Sequence, residues 1–139
     1  MSHKHWNWSS QQSIASDTTA TTGVIEPLLD RLNEAQWPPG DVFGVHLAIE
    51  EALVNAIKHG NGDDVSKQVS ISYRVSEQCV QIEIADEGRG FDPNSLPDPT
   101  TAEHVDQPHG RGVMLMRSFM TRVEFNELGN CVLLEKCRS

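Results

Sequence analysis

Glu51 and Asn55 stand four residues apart, followed by Lys58, His59 and Gly60. On a helix, side chains at i and i+4 project together. An asparagine carbonyl is a hard oxygen ligand suited to Mg²⁺, which takes its other ligands from phosphates and water. Glu51, one turn earlier, could accept a proton from an attacking hydroxyl. Lys58 could neutralise phosphate charge and His59 could donate to a phosphate oxygen. The alternative is a solvated stripe on a helix that is otherwise mostly buried.

Two glycine pairs lie downstream. Asp86 closes an apolar alternating run and is followed by Gly88 and Gly90. A carboxylate at a strand end accepts hydrogen bonds only, which matches the exocyclic amino group of adenine. The glycines let the backbone turn sharply and approach a flat base, although Asp-x-Gly-x-Gly is also a common turn sequence. Gly110, Arg111 and Gly112 directly precede a further apolar run that begins at Val113. Exposed amides at a helix N-terminus form an anion site that glycine leaves open to phosphate. Arg111 either adds charge there or points to solvent. No Gly-x-x-x-x-Gly-Lys-Ser/Thr occurs, and Pro93 and Leu115 stand where a Gly-x-Gly-x-x-Gly would need its third glycine. A P-loop or dinucleotide fold is thereby argued against.

These groups need elements to hold them. Val24, Ile25, Leu28, Leu29 and Leu32 predict a helix over 24–35, stopped by Pro38 and Pro39. Asp41 is a plausible N-cap for a second helix over 41–59, with Gly60 to Gly62 as its terminator. On a wheel at roughly 100° per residue, apolar side chains from Phe43 to Ile57 sweep most of that helix. Gly44, Glu51, Asn55 and Lys58 fill the remaining sector. A helix so apolar should be largely buried, and its polar sector then needs partners. His46 and Glu50 fall in the apolar arc without an evident role. Period-two alternation predicts strands over 68–75 and 80–85.

Four of seven prolines lie between Pro93 and Pro108, predicting a long functional loop. A helix over 112–120, whose Val113, Met114, Leu115, Met116, Phe119 and Met120 read as core, precedes strands over 122–125 and 131–136. At the other end, Trp6 and Trp8 share one face of a short opening strand, and Ser9 to Thr22 reads as a loose connection. Strands grouped in hairpins with few helices suggest an α/β two-layer sandwich forming a single domain over 1–139.

The 139 residues carry 11 basic and 20 acidic groups, a formal charge of −9. That balance argues against direct contact with nucleic acid or an anionic membrane, and suits a basic protein partner. No apolar run reaches membrane-spanning length and the first residues lack a secretory core, so a cytoplasmic protein is expected. Cys79, Cys131 and Cys137 show no metal-ligand spacing and read as reduced thiols, Cys79 and Cys131 being buried as small hydrophobes.

In order and spacing the three segments resemble the N box and the two glycine boxes of the GHKL ATPase superfamily, over residues 6–136. Within it, Glu51 to Gly60 looks most like the anti-sigma-factor serine/threonine kinases of the RsbW and SpoIIAB type. The resemblance implies a Bergerat ATP-binding fold, a mixed but mainly antiparallel sheet covered on one face by three helices. It implies Glu51 as catalytic base, Asn55 as Mg²⁺ ligand, and His59 near the phosphates. Asp86 would read adenine with Gly88 and Gly90 behind the base. Gly110, Arg111, Gly112 and Val113 would form the phosphate loop, and residues 92–109 an ATP lid.

The implied reaction is γ-phosphoryl transfer to a serine or threonine of a STAS-type antagonist by a protein that otherwise holds a sigma factor, as a homodimer, in transcription regulation. The alternative is an ATP-binding partner-switching module that sequesters a regulator without transferring phosphate. Gly129, Asn130 and Cys131 stand where many relatives carry Gly-Thr, and Pro108 and His109 where some carry Arg and Ser. None of the six histidines lies in a phosphoacceptor helix pair, which argues against a complete histidine kinase.

Overall fold

A computed structural model of the chain describes residues 6–88 and 108–139. Strand β1 (Trp6–Ala15) leads through a 3₁₀ turn (Thr18–Ala20) to helices α1 (Thr22–Glu34) and α2 (Pro39–Val54). A π-helical turn (Asn55–Gly60) continues α2, and strands β2 (Gln68–Ser76) and β3 (Cys79–Ala85) follow. Helix α3 (Pro108–Phe119) and strands β4 (Arg122–Phe125) and β5 (Cys131–Cys137) complete the fold. The sheet order is β1-β2-β3-β5-β4. Its four pairings are all antiparallel, so among the described residues the sheet is not the mixed one expected.

The helices bury one face of this sheet. Val69, Ile71, Tyr73 and Val75 of β2 alternate inward with Val80, Ile82 and Ile84 of β3, and meet Val24, Leu28, Leu32, Val45, Ile49 and Leu53 of the helices in one core. Each fully buried aliphatic side chain contributes about 1.5–3 kcal/mol through removal from water. Tyr73 joins the layers directly, donating its hydroxyl to the Val24 carbonyl at 3.2 Å. On the other face Ser72, Arg74 and Glu83 are exposed.

Several expectations change. Residues 9–15 are strand, not a loose connection: β1 stays in register with β2 from Trp8↔Val75 to Ala15↔Gln68. Its inward polar residue Gln12 is satisfied by the Tyr73 hydroxyl at 3.1 Å, so the ladder overrides weak local β preference. A register shift between Trp6 and Trp8 sends the two rings to different partners. Trp8 stacks on Tyr73 at 5.3 Å between centroids, whereas Trp6 lies beneath the Arg74 guanidinium at 4.4 Å. A bulge breaks period-two facing.

Asp41 is not the N-cap of α2. Pro38 holds that position with Pro39 at the helix start, where a missing N–H costs nothing. Asp41 is buried in the first turn and accepts from the Ser139 N–H at 3.0 Å and hydroxyl at 2.7 Å. Helix α2 is also less enclosed than its apolar arc suggested: Phe43 is 57% exposed, and His46 meets Glu50 at 3.3 Å on the solvent side. Val113 and Met116 of α3, and Met120 just after it, are core, but Met114 and Leu115 are exposed.

Cys79 and Cys137 are not separate thiols. They stand opposite one another in the β3–β5 ladder, with Cα atoms 4.1 Å apart, and form a disulfide. Strand register, invisible in linear spacing, brings them together. Cys131 is half-buried and donates to Glu83 at 3.5 Å.

Candidate functional site

Glu51 sits in the last turn of α2 and Asn55 begins the π-helical turn, so the two share one side of the helix. Wide turns of this kind recur at functional sites. Asn55 is buried, and among the described residues neither its amide oxygen nor its amide nitrogen has a hydrogen-bond partner. A buried amide left unmade costs about 1–3 kcal/mol, which makes Asn55 a candidate ligand for a bound group. Helix α3 runs across this point. A Cβ on Gly112 would stand 2.8 Å from Glu51 Oε2 and 3.2 Å from Asn55 Nδ2. Only glycine at 112 lets α3 pack this closely over the acid and the amide. Burial, aided by the charge of Glu50, raises the Glu51 carboxyl above its ordinary range.

The other end of the site is the turn after β3. Asp86 ends the strand and its Oδ1 accepts the Gly88 N–H at 2.7 Å. Burial raises its carboxyl, with the Gly88 amide and Lys67 opposing the shift. Gly60 packs so tightly on this carboxylate that a Cβ would fall 2.6 Å from Asp86 Oδ1. A Cβ on Gly88 would collide with the Gly60 carbonyl oxygen. Backbone therefore meets backbone where the π-helical turn touches the β3 turn, which glycine alone permits.

Between the two ends lies a cleft walled by Ala52, Ala56, Ile84, Met116, Phe125 and Val132, with Asn55, His59, Asp86 and Asn130 as polar groups. An apolar slot with a few convergent polar groups is the form a small-molecule site takes. Of the residues singled out from sequence, Glu51, Asn55, His59, Asp86, Gly88 and Gly112 gather here. Lys58 is exposed and does not line the cleft, because the wide turn carries it outward. Val113 is core. Gly110 and Arg111 fall in the first turns of α3, which starts at Pro108 and not at residue 112. Gly90 and residues 92–107 of the expected lid lie outside the described residues.

Three residues were not read as part of the site. Gly60 looked like a helix terminator. Asn61, part of the same expected terminator, is 3% exposed and bonded to three separate segments. Asn130 was noted only as a departure from a family pattern; its Nδ2 donates to the Gly88 carbonyl at 3.3 Å, and its carbonyl accepts the Asp86 N–H at 2.9 Å. No local pattern signals such tertiary bonds.

The fold and site define an open α/β sandwich whose cleft lies at the seam between sheet and helices, with an acid and a buried amide at one end and the half-buried Asp86 carboxylate at the other. The chain belongs to the histidine kinase-like ATPase domain family, whose profile it matches over residues 14–136. It is 29% identical over 97 residues to the serine-protein kinase RsbW of Oceanobacillus iheyensis, covering 65% of this chain and 61% of that protein. It is 31% identical over 136 residues to the anti-sigma F factor of Geobacillus kaustophilus, covering 92% of this chain and 85% of that one. The chain thus spans less than two thirds of the length of the kinase relatives it matches. A crystal structure of the RsbU and RsbW domains of Rv1364c from Mycobacterium tuberculosis shares the fold, with a TM-score of 0.61 at 16% identity, over 95% of this chain and 32% of that one.

Proposed function

We propose that the chain is a single ATPase domain acting as a serine/threonine-protein kinase and anti-sigma factor. It would phosphorylate a STAS-type antagonist protein with ATP and hold a sigma factor or comparable regulator when the antagonist is absent. The observation that carries this is the pairing of Glu51 with an unpartnered, buried Asn55 amide against Gly112. Similarity to proteins named serine-protein kinase and anti-sigma F factor supports the choice of activity and partner. The family resemblance in the sequence implies a homodimer in the cytoplasm. Among the described residues no helix is long and apolar enough to cross a membrane.

Asn55 fits a magnesium ion, since its free carbonyl oxygen is the hard donor that ion takes; bound there, the ion would neutralise phosphate charge. The chain's own residues do the rest. Asp86, with Oδ1 occupied by Gly88, has Oδ2 to accept from the adenine amino group. The apolar walls enclose the base. The free amides of the first turn of α3 would receive the phosphates. The acceptor hydroxyl then attacks the γ-phosphorus, its O–H proton passes to Glu51, a new P–O bond forms, and the bond to the β-phosphate breaks to release ADP. Raising Glu51 by burial makes it a better base for a hydroxyl.

Incubation with γ-labelled ATP and a STAS-domain antagonist tests this. Label should appear on a serine or threonine of the antagonist, and Glu51→Gln should abolish transfer while binding ATP nearly as before. Binding without any transfer by the parent protein would reject the kinase in favour of a sequestering module.

A further inference from the structure

We propose that Asn61 is a positioning residue for purine selection: its buried amide ties the Asp86–Gly88 turn to β1 and β2 and so holds the Asp86 carboxylate where it discriminates between bases. This rests on the reading of Asp86 as the adenine-facing carboxylate.

The bonds of Asn61 converge from three parts of the chain. Its Nδ2 donates to Ser16 Oγ at 2.8 Å and to the Gln68 carbonyl at 3.0 Å. Its Oδ1 accepts the Glu87 N–H at 2.8 Å. Both amide hydrogens and one oxygen lone pair are therefore used. Its backbone N–H closes the π-helical turn on the Ala56 carbonyl at 2.8 Å. The residue thus joins the turn that begins with Asn55 to the turn that carries Asp86. Ser16 extends the chain of bonds, its hydroxyl donating to the Lys67 carbonyl at 2.8 Å.

The purine turn is gripped from two sides. On the β5 side Asn130 meets Gly88 and Asp86. On the β2 side Asn61 holds the Glu87 amide, and the Glu87 carboxylate accepts the Gln68 N–H. Base discrimination depends on both grips. A carboxylate accepts from the adenine amino group but faces a carbonyl oxygen on guanine, so it rejects guanine only while it cannot withdraw. Small displacements of a functional group forfeit such selectivity. Removing the Asn61 amide frees the turn on one side, and Asp86 can then relax toward solvent.

Asn61→Ala, Ser16→Ala and Asp86→Asn would be compared with the parent by calorimetric titration of ATP and GTP with Mg²⁺. Backbone amide exchange would be followed without nucleotide. Asn61→Ala should lower the ATP-to-GTP affinity ratio by about tenfold, the worth of one well-made buried hydrogen bond. It should keep its magnesium dependence, and the amides of Glu87 and Gly88 should exchange faster. Ser16→Ala removes one of two anchors and should lower the ratio by about two- to threefold. It also serves if Asn61→Ala does not fold. Parallel weakening of ATP and GTP, or an unchanged ratio in both variants, overturns the proposal. If Asp86→Asn itself leaves the ratio unchanged, base reading by Asp86 falls and this proposal with it. If Asp86→Asn abolishes the ratio while Asn61→Ala does not, the Asn61 assignment alone falls.

Discussion

Among the described residues the buried Asn55 amide has no hydrogen-bond partner, a local cost of about 1–3 kcal/mol. Replacing it with alanine should remove that cost along with the proposed metal ligand. Asn55→Ala is therefore expected to melt no lower than the parent without nucleotide, while ATP affinity loses its dependence on magnesium. Thermal unfolding and titration with and without the metal check the two halves. Glu51 gives a second residue-scale signature. Burial, with Glu50 beside it, raises its carboxyl, so the base is protonated up to a higher pH than an ordinary glutamate. The acid limb of the phosphoryl-transfer profile should lie correspondingly high. The same shift bears on stability. A carboxylate whose folded pKa is raised opposes folding above that pKa; the opposition fades as pH falls through the folded pKa and is gone below the unfolded value. Glu51→Gln should accordingly unfold later than the parent at neutral pH, with the difference shrinking on acidification. Denaturation at several pH values measures it. Glu51 and Asn55 were legible from sequence because helical spacing alone puts them side by side. Lys58 was not, because the wide turn after Val54 breaks the periodicity that grouped it with them.

At the scale of elements, the site depends on how closely α3 crosses α2. Gly44 meets Phe119, where a Cβ would stand 3.2 Å from the Phe119 Cβ, and Gly112 meets Glu51 and Asn55. The two helices touch through glycine at both ends of their crossing. Inside a helix, glycine costs about 0.5–1 kcal/mol relative to alanine, so its presence at 112 favours close packing of α3 on Glu51 and Asn55 over helix stability. Gly112→Ala should leave the melting temperature equal or slightly raised. It should nevertheless weaken Mg-ATP binding by about tenfold or more, because the new methyl group displaces the Glu51 carboxylate. Titration calorimetry beside thermal unfolding separates the two effects. Helix α1 and strands β2, β3 and β5 were readable because their burial follows one local period. Strand β1 was not fully so: its Ser and Gln residues carry little strand preference, and β2 and Tyr73 determine their pairing.

Across the whole molecule, the ladder between β3 and β5 sets both a staple and the Asp86 end of the cleft. Cys79 and Cys137 face each other at one end of that ladder, Ala85 and Cys131 at the other. Burial, then the Glu83 charge, pushes the Cys131 thiol up to about 11, so it stays protonated beside the cleft at neutral pH. The disulfide closes a separation of 58 residues and should contribute about 2–4 kcal/mol by restricting the unfolded chain. Cys137→Ser should lose that amount in urea unfolding and retain its nucleotide affinity, since the pair sits at the opposite end of the ladder from Asp86. The amino-acid sequence by itself determined the helices, the hairpin-rich sandwich and the acid–amide pair, because each follows from a period or spacing within one element. The tertiary structure decided the disulfide, the glycine-to-carboxylate contacts and the burial of Asn61 and Asp41. Each of those joins residues far apart in the chain, and sheet register and helix crossing, not local preference, bring them into contact.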